Sequence, residues 1–71
     1  MKYYFTLTMT PEEFLPYYRG QYSSIVTTAS NGQRVQFPAM HMRKFMTAGG
    51  VKGTFCLETA NNKFISLTKL R

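Results

Sequence analysis

Residues 51–70 read VKGTFCLETANNKFISLTKL, two alternating runs separated by a pair of asparagines. Val51, Gly53, Phe55 and Leu57 fall on one side and Lys52, Thr54, Cys56 and Glu58 on the other, the two-residue period of a half-buried strand. The return strand runs from Lys63 to Leu70. A two-residue turn at Asn61-Asn62 sets Leu57 opposite Ser66 and leaves Ile65 and Leu67 on the wrong face. A three-residue loop of Ala60, Asn61 and Asn62 pairs Leu57 with Ile65 and Phe55 with Leu67 instead. The pattern therefore predicts the longer loop, with Asn62 in the left-handed conformation such loops use.

Upstream, Gly49-Gly50 closes a helix predicted over Ala39 to Thr47, which opens after Pro38 and puts Met42, Phe45 and Met46 on one face, with His41, Arg43 and Lys44 pointing elsewhere. Before it, the β-branched run around Ile25, Val26, Thr27 and Thr28 leads into Asn31-Gly32, a hairpin signal. A two-residue turn there sets Ser30 opposite Gln33, Thr28 opposite Val35 and Val26 opposite Phe37. At the start of the chain, Tyr3, Phe5, Leu7 and Met9 alternate with Lys2, Tyr4, Thr6 and Thr8 as a further strand. Thr10-Pro11-Glu12-Glu13 then supplies an N-cap, a proline at the first helical position and a glutamate at the third, while Pro16 keeps that helix short and ends it before Gly20.

The element order is thus β-α-β-β-α-β-β in a single domain, residues 1–71. Short connections favour antiparallel neighbours, so the reading is an α+β fold: a small, mainly antiparallel five-stranded sheet or partly closed barrel with two short helices. A ferredoxin-like sandwich is the alternative, since it shares the first six elements in the same order. Its parallel crossovers need a dozen or more residues, and the Pro16-interrupted segment serves that poorly.

Composition bounds the chemistry. A chain of 71 residues has one core, burying about 60% of the surface its unfolded form exposes. Nine Lys and Arg face three acids, Glu12, Glu13 and Glu58, for a formal charge of +6, and aspartate is absent. With one His and one Cys the chain holds no intramolecular disulfide, Cys/His zinc site or Ser-His-Asp triad, and without aspartate no EF-hand loop. Glu12 and Glu13 are accounted for by the helix start. His41 lies among Arg43 and Lys44 with no carboxylate to orient it, and Cys56 has no adjacent base. The glycines 49, 50 and 53 sit in no phosphate-binding motif. A non-enzymatic protein without cofactor or metal is expected. No apolar run reaches signal-peptide or membrane-span length, and the single free thiol suits a reducing compartment, so the expected setting is the cytoplasm.

Two binding readings remain. Arg34, Arg43, Lys44 and Lys52, with Lys69 and Arg71 nearby, are candidates for a basic face that attracts the phosphates of RNA or DNA, with aromatic residues to stack bases. The competing reading is a protein-interaction module or homodimer, because Tyr17, Tyr18, Tyr22, Met40 and Phe64 exceed what a core of this size covers, and an edge strand can pair with a copy of itself.

Several segments carry a family resemblance: Tyr3-Tyr4-Phe5, Glu13-Phe14-Leu15-Pro16-Tyr17-Tyr18 with Gly20, Arg34-Val35-Gln36-Phe37-Pro38-Ala39, Arg43, Phe45, Gly53, Phe55, Leu57 and Asn62-Lys63-Phe64. Through them the chain resembles, nearly end to end, the domain of unknown function 2835 family, small proteins found mainly among gammaproteobacteria. The resemblance implies a bacterial cytosolic setting and brings no activity, cofactor or catalytic residue with it. Pro16 and Pro38 within those segments suit backbone roles, and Arg34 and Arg43 are the charged positions to test first.

Overall fold

Phe5 is the centre of the packing. Its ring stacks on Phe37 on one side and Phe55 on the other, at centroid distances of 5.6 and 5.7 Å, which ties three strands from distant parts of the chain together. The computed structural model describes residues 1–71. Strand β1 (Lys2–Met9) is followed by helix α1 (Pro11–Tyr18), strands β2 (Ser24–Thr28) and β3 (Arg34–Pro38), a 3₁₀ helix (Ala39–Phe45), and strands β4 (Val51–Ala60) and β5 (Lys63–Lys69). One antiparallel sheet has the order β1-β4-β5, and β2 and β3 form a separate two-stranded ribbon.

The α+β class, the element order and the antiparallel pairing are as read from the sequence. The five strands divide between two sheets and no barrel closes. The ribbon meets the larger sheet through a bond from the Ser30 amide to the Tyr4 carbonyl, 2.7 Å, at the β1 edge. The ferredoxin-like alternative is excluded, since such a sandwich joins its first four strands in one sheet and here β2 and β3 stand apart from β1-β4-β5. Helix α1, at eight residues, is about 12 Å long and returns the chain to an adjacent ribbon instead of carrying it across a sheet.

Helix α1 forms where the sequence marks it. The Thr10 hydroxyl accepts from the Glu13 amide (3.1 Å) and the Glu13 carboxylate accepts from the Thr10 amide (2.8 Å), a complete capping box. The helix tolerates Pro16 because it ends almost at once. Gly20 takes a left-handed φ of 81°, its amide bonds to the Tyr17 carbonyl, and the Gln21 amide bonds to the Pro16 carbonyl, the paired closure of a Schellman motif. Phe14 is fully buried beneath.

The second helix departs from expectation. It is 3₁₀, not α, and ends at Phe45, before Thr47. Thr47 breaks it, since its hydroxyl donates to the Gly50 carbonyl and accepts from the Gly49 amide while the Thr47 and Gly50 backbones exchange two bonds. A three-residue repeat stacks residues i and i+3. Ala39, Met42 and Phe45 accordingly form the inward ridge, Met40 and Arg43 a second, and His41 and Lys44 a third.

Both hairpins depart from the register read from sequence, the first by one residue and the second by one at its turn and two beyond its bulge. Around Asn31-Gly32 the observed pairs are Thr28 with Arg34, Thr27 with Val35, Val26 with Gln36 and Ile25 with Phe37. The Ala29 amide bonds to the Gln33 carbonyl, leaving a three-residue loop with Gly32 at φ 86° and the Gln33 amide held by the Asn31 side chain. That shift puts buried Ile25 against buried Phe37 and turns Val26 to solvent. At Asn61-Asn62 the turn has two residues, both left-handed, and Ala60 faces Lys63. A bulge then skips Ile65, so that Leu57 faces Leu67, not Ile65, and Phe55 faces Lys69, not Leu67. The bulge rescues the two-residue turn, restoring Leu67 to the core and expelling Ile65.

The core comprises twelve buried hydrophobic residues drawn from every element, with no buried polar side chain. The opposite face of the three-stranded sheet presents Lys2, Tyr4, Thr6, Thr8, Lys52 and Thr68, all exposed.

Candidate interaction surface

The four basic residues singled out from sequence do not converge. Arg34 begins β3 and lines an open cleft with Tyr3, Leu57 and Asn62. Lys52 stands opposite Thr8 on the outer face of the larger sheet. Arg43 and Lys44 are neighbours on the 3₁₀ helix but belong to different ridges, and they line different clefts. Arg43 is already engaged: its Nη2 donates to the Tyr18 carbonyl over 2.9 Å and its guanidinium lies 5.2 Å from the centre of the Tyr18 ring. Arg34 and Lys52 thus stand apart from each other and from the Arg43–Lys44 pair.

The side chains with acid-base or nucleophilic chemistry are equally dispersed. Glu12 and Glu13 occupy the first turn of α1, Glu58 sits on β4 opposite Lys2 and Ser66, and half-buried Cys56 lies between Tyr4 and Thr68. The imidazole of His41 stacks on Phe64 with centroids 3.8 Å apart and planes within 10°. No three His, Cys, Asp or Glu side chains gather where they could hold a metal.

A different set does gather. Tyr17, Tyr18, Tyr22, Met40 and Phe64 all lie around the 3₁₀ helix in three adjoining shallow clefts, with Tyr18, Tyr22 and Met40 exposed and Tyr17 and Phe64 half-buried against the core. The first is walled by Leu15, Tyr18, Arg43 and Met46, and the second by Tyr17, Tyr22, Met40 and Arg43. The third holds Met40, His41, Lys44, Phe64 and Ile65. Arg43 is shared by the first two and Met40 by the last two, so the clefts form one stripe along the outer ridges of the helix. Five of the nine exposed large hydrophobics, Leu15, Tyr18, Tyr22, Met40 and Ile65, belong to it. A monomer this small gains nothing from leaving that much apolar surface in one place.

Local structure explains each member. The Schellman closure at Gly20 turns the chain so that Tyr22 reaches back to Tyr17, with ring centroids 5.4 Å apart. The 3₁₀ period lines up Met40 with Arg43 and His41 with Lys44. The β5 bulge delivers Ile65. Sequence reasoning missed Leu15 and Ile65 as surface residues, and Ile65 in particular was read as a core partner of Leu57. The signal that finds Ile65 is the rejected Asn-Asn turn, because a two-residue turn with Leu67 still inside requires one extra residue in the return strand.

These features define a small α+β domain with an apolar core, scattered ionisable groups and a continuous surface lined by aromatic and aliphatic side chains. The chain belongs to the family described as protein of unknown function (DUF2835), whose model matches residues 1–70. No curated protein and no solved structure matches the chain. No helix is long and apolar enough to cross a membrane.

Proposed function

We propose that this chain is a non-enzymatic interaction module that docks another protein on the stripe running from Leu15 to Ile65. The observation that carries the reading is the sharing of Arg43 and Met40 between adjoining clefts, which makes one surface of five exposed apolar side chains. Tyr, Met and Arg are the residue types enriched at the centres of protein interfaces, and Tyr and Arg among those whose truncation costs most binding. A photo-crosslinking residue placed in turn at Tyr22, Met40 and Ile65 of the chain expressed in cells tests it. One common protein adduct at all three positions, absent when the residue replaces exposed Val26 on the separate ribbon, is the expected result. Adducts at the stripe no different from those at Val26 overturn it.

RNA or DNA binding through Arg34, Arg43, Lys44 and Lys52 is a second reading, favoured by the net charge of +6 and by the flat His41–Phe64 pair in one cleft with Lys44. Titration with mixed oligonucleotides at low salt, followed by amide shifts, tests it. Movement at all four residues that fades steeply as salt rises supports it, and unmoved amides there reject it.

A further inference from the structure

We infer that the stripe is built for an acidic segment of another protein that carries spaced apolar side chains, an inference that rests on the docking reading above. Charge is the argument. The three clefts contain the cations Arg43 and Lys44 and no carboxylate. Arg19 follows Tyr18 at one end of the stripe and Lys63 precedes Phe64 at the other. None of the three acids lines a cleft: Glu12 and Glu13 are in the first turn of α1, with Glu13 committed to the cap, and Glu58, opposite Ser66, is on the face of β4 that points away from the core.

This distribution discriminates among occupants. A second copy would lay one cation-flanked, acid-free stripe against another, and like charges placed together across an interface oppose docking. A nucleic acid would bring anionic charge and find rings at Tyr22 and at the His41–Phe64 pair, but it would leave the exposed aliphatic side chains of Leu15, Met40 and Ile65 without apolar partners. An acidic segment with apolar anchors satisfies both halves of the surface, burying the exposed hydrophobics while its carboxylates meet the rim.

The test uses the full chain and synthetic peptides that share leucine and phenylalanine anchors and differ only in having Glu, Gln or Lys between them, with a single-stranded oligonucleotide as a further arm. The Glu peptide is expected to shift the amides of Tyr18, Tyr22, His41 and Ile65, to bind at least about tenfold more tightly than the Gln peptide at low salt, and to lose most of that advantage as salt rises. A K44E chain is expected to lose most of the Glu peptide's advantage while binding the Gln peptide as the parent does, a selective loss that failure to fold does not produce. Equal binding of the Glu and Gln peptides at the stripe overturns the acidic inference and leaves the docking reading intact. No peptide shift at the stripe, together with no common crosslink at Met40, overturns both, and stripe shifts produced by the oligonucleotide alone assign the surface to nucleic acid.

Discussion

The Arg43 guanidinium donates to the main-chain carbonyl of Tyr18 over 2.9 Å and covers the ring of the same residue at 5.2 Å. Helix α1 has no basic residue in its own last turn, so the 3₁₀ helix supplies from outside the cation that a helix C-terminus favours. The contact fixes the spacing of the two helices and therefore the shape of the stripe between them. Replacing Arg43 by Ala is expected to cost about 1–2 kcal/mol, from one exposed charged hydrogen bond and one exposed cation–π contact. Arg43→Lys is expected to recover part of that, because an ammonium keeps the charge without the flat face that lies on Tyr18. Urea unfolding of the three proteins checks both.

Two glycines with left-handed backbones make a matched experiment. Gly50 has φ 97°, and a β-carbon there would overlap the Met9 carbonyl at the end of β1, a backbone atom that cannot move aside. Gly32 has φ 86° in open space. Gly32→Ala is expected to cost about 1 kcal/mol, the conformational penalty alone, and Gly50→Ala several times more, enough to unfold a domain of this size. Similar unfolding midpoints for the two variants would sink this reading.

The capping box at Thr10 predicts a loss of about 1 kcal/mol for Thr10→Ala and little change for Thr10→Ser, which keeps the acceptor for the Glu13 amide. Thermal unfolding by circular dichroism separates them.

Met40 and Met42 stand two residues apart with opposite fates, one 64% exposed and the other fully buried. Met42→Ala is expected to destabilise by about 2–5 kcal/mol. Met40→Asp is expected to stay within about 0.5 kcal/mol of the parent while losing both the crosslinks from positions 22 and 65 and the Glu-peptide shifts. Retained binding by the folded Met40→Asp protein would remove Met40 from the docking surface.

Asn62 is the second left-handed residue of the β4–β5 turn, at φ 62°. Glycine is the preferred residue there in such turns, so Asn62→Gly is expected to stabilise the chain by a few tenths to about 1 kcal/mol. A lower unfolding midpoint in Asn62→Gly would contradict the two-residue turn.

The faces of β1 and β4, the Thr10–Glu13 cap, the short α1 and the surplus of Tyr18, Tyr22 and Met40 were legible in the sequence. Each depends on residues within a few positions of one another, where periodicity and capping chemistry act directly. The registers of both hairpins were not. Between a two-residue and a three-residue loop, local signals differ little, and the choice falls to whichever register buries more: Ile25 on Phe37 in one hairpin, Leu57 on Leu67 in the other. The basic face was read from charge totals, and totals do not say where Arg34 lies relative to Lys52.

The sequence by itself determined an antiparallel α+β chain with a cationic surface and too many aromatics for its core, because composition and short-range pattern suffice for these. Tertiary structure alone decided that those aromatics form one surface. The three-residue period of the Ala39–Phe45 helix, the bulge that expels Ile65 and the reach of Arg43 to the end of α1 are all settled by contacts between elements, where burial outweighs local preference.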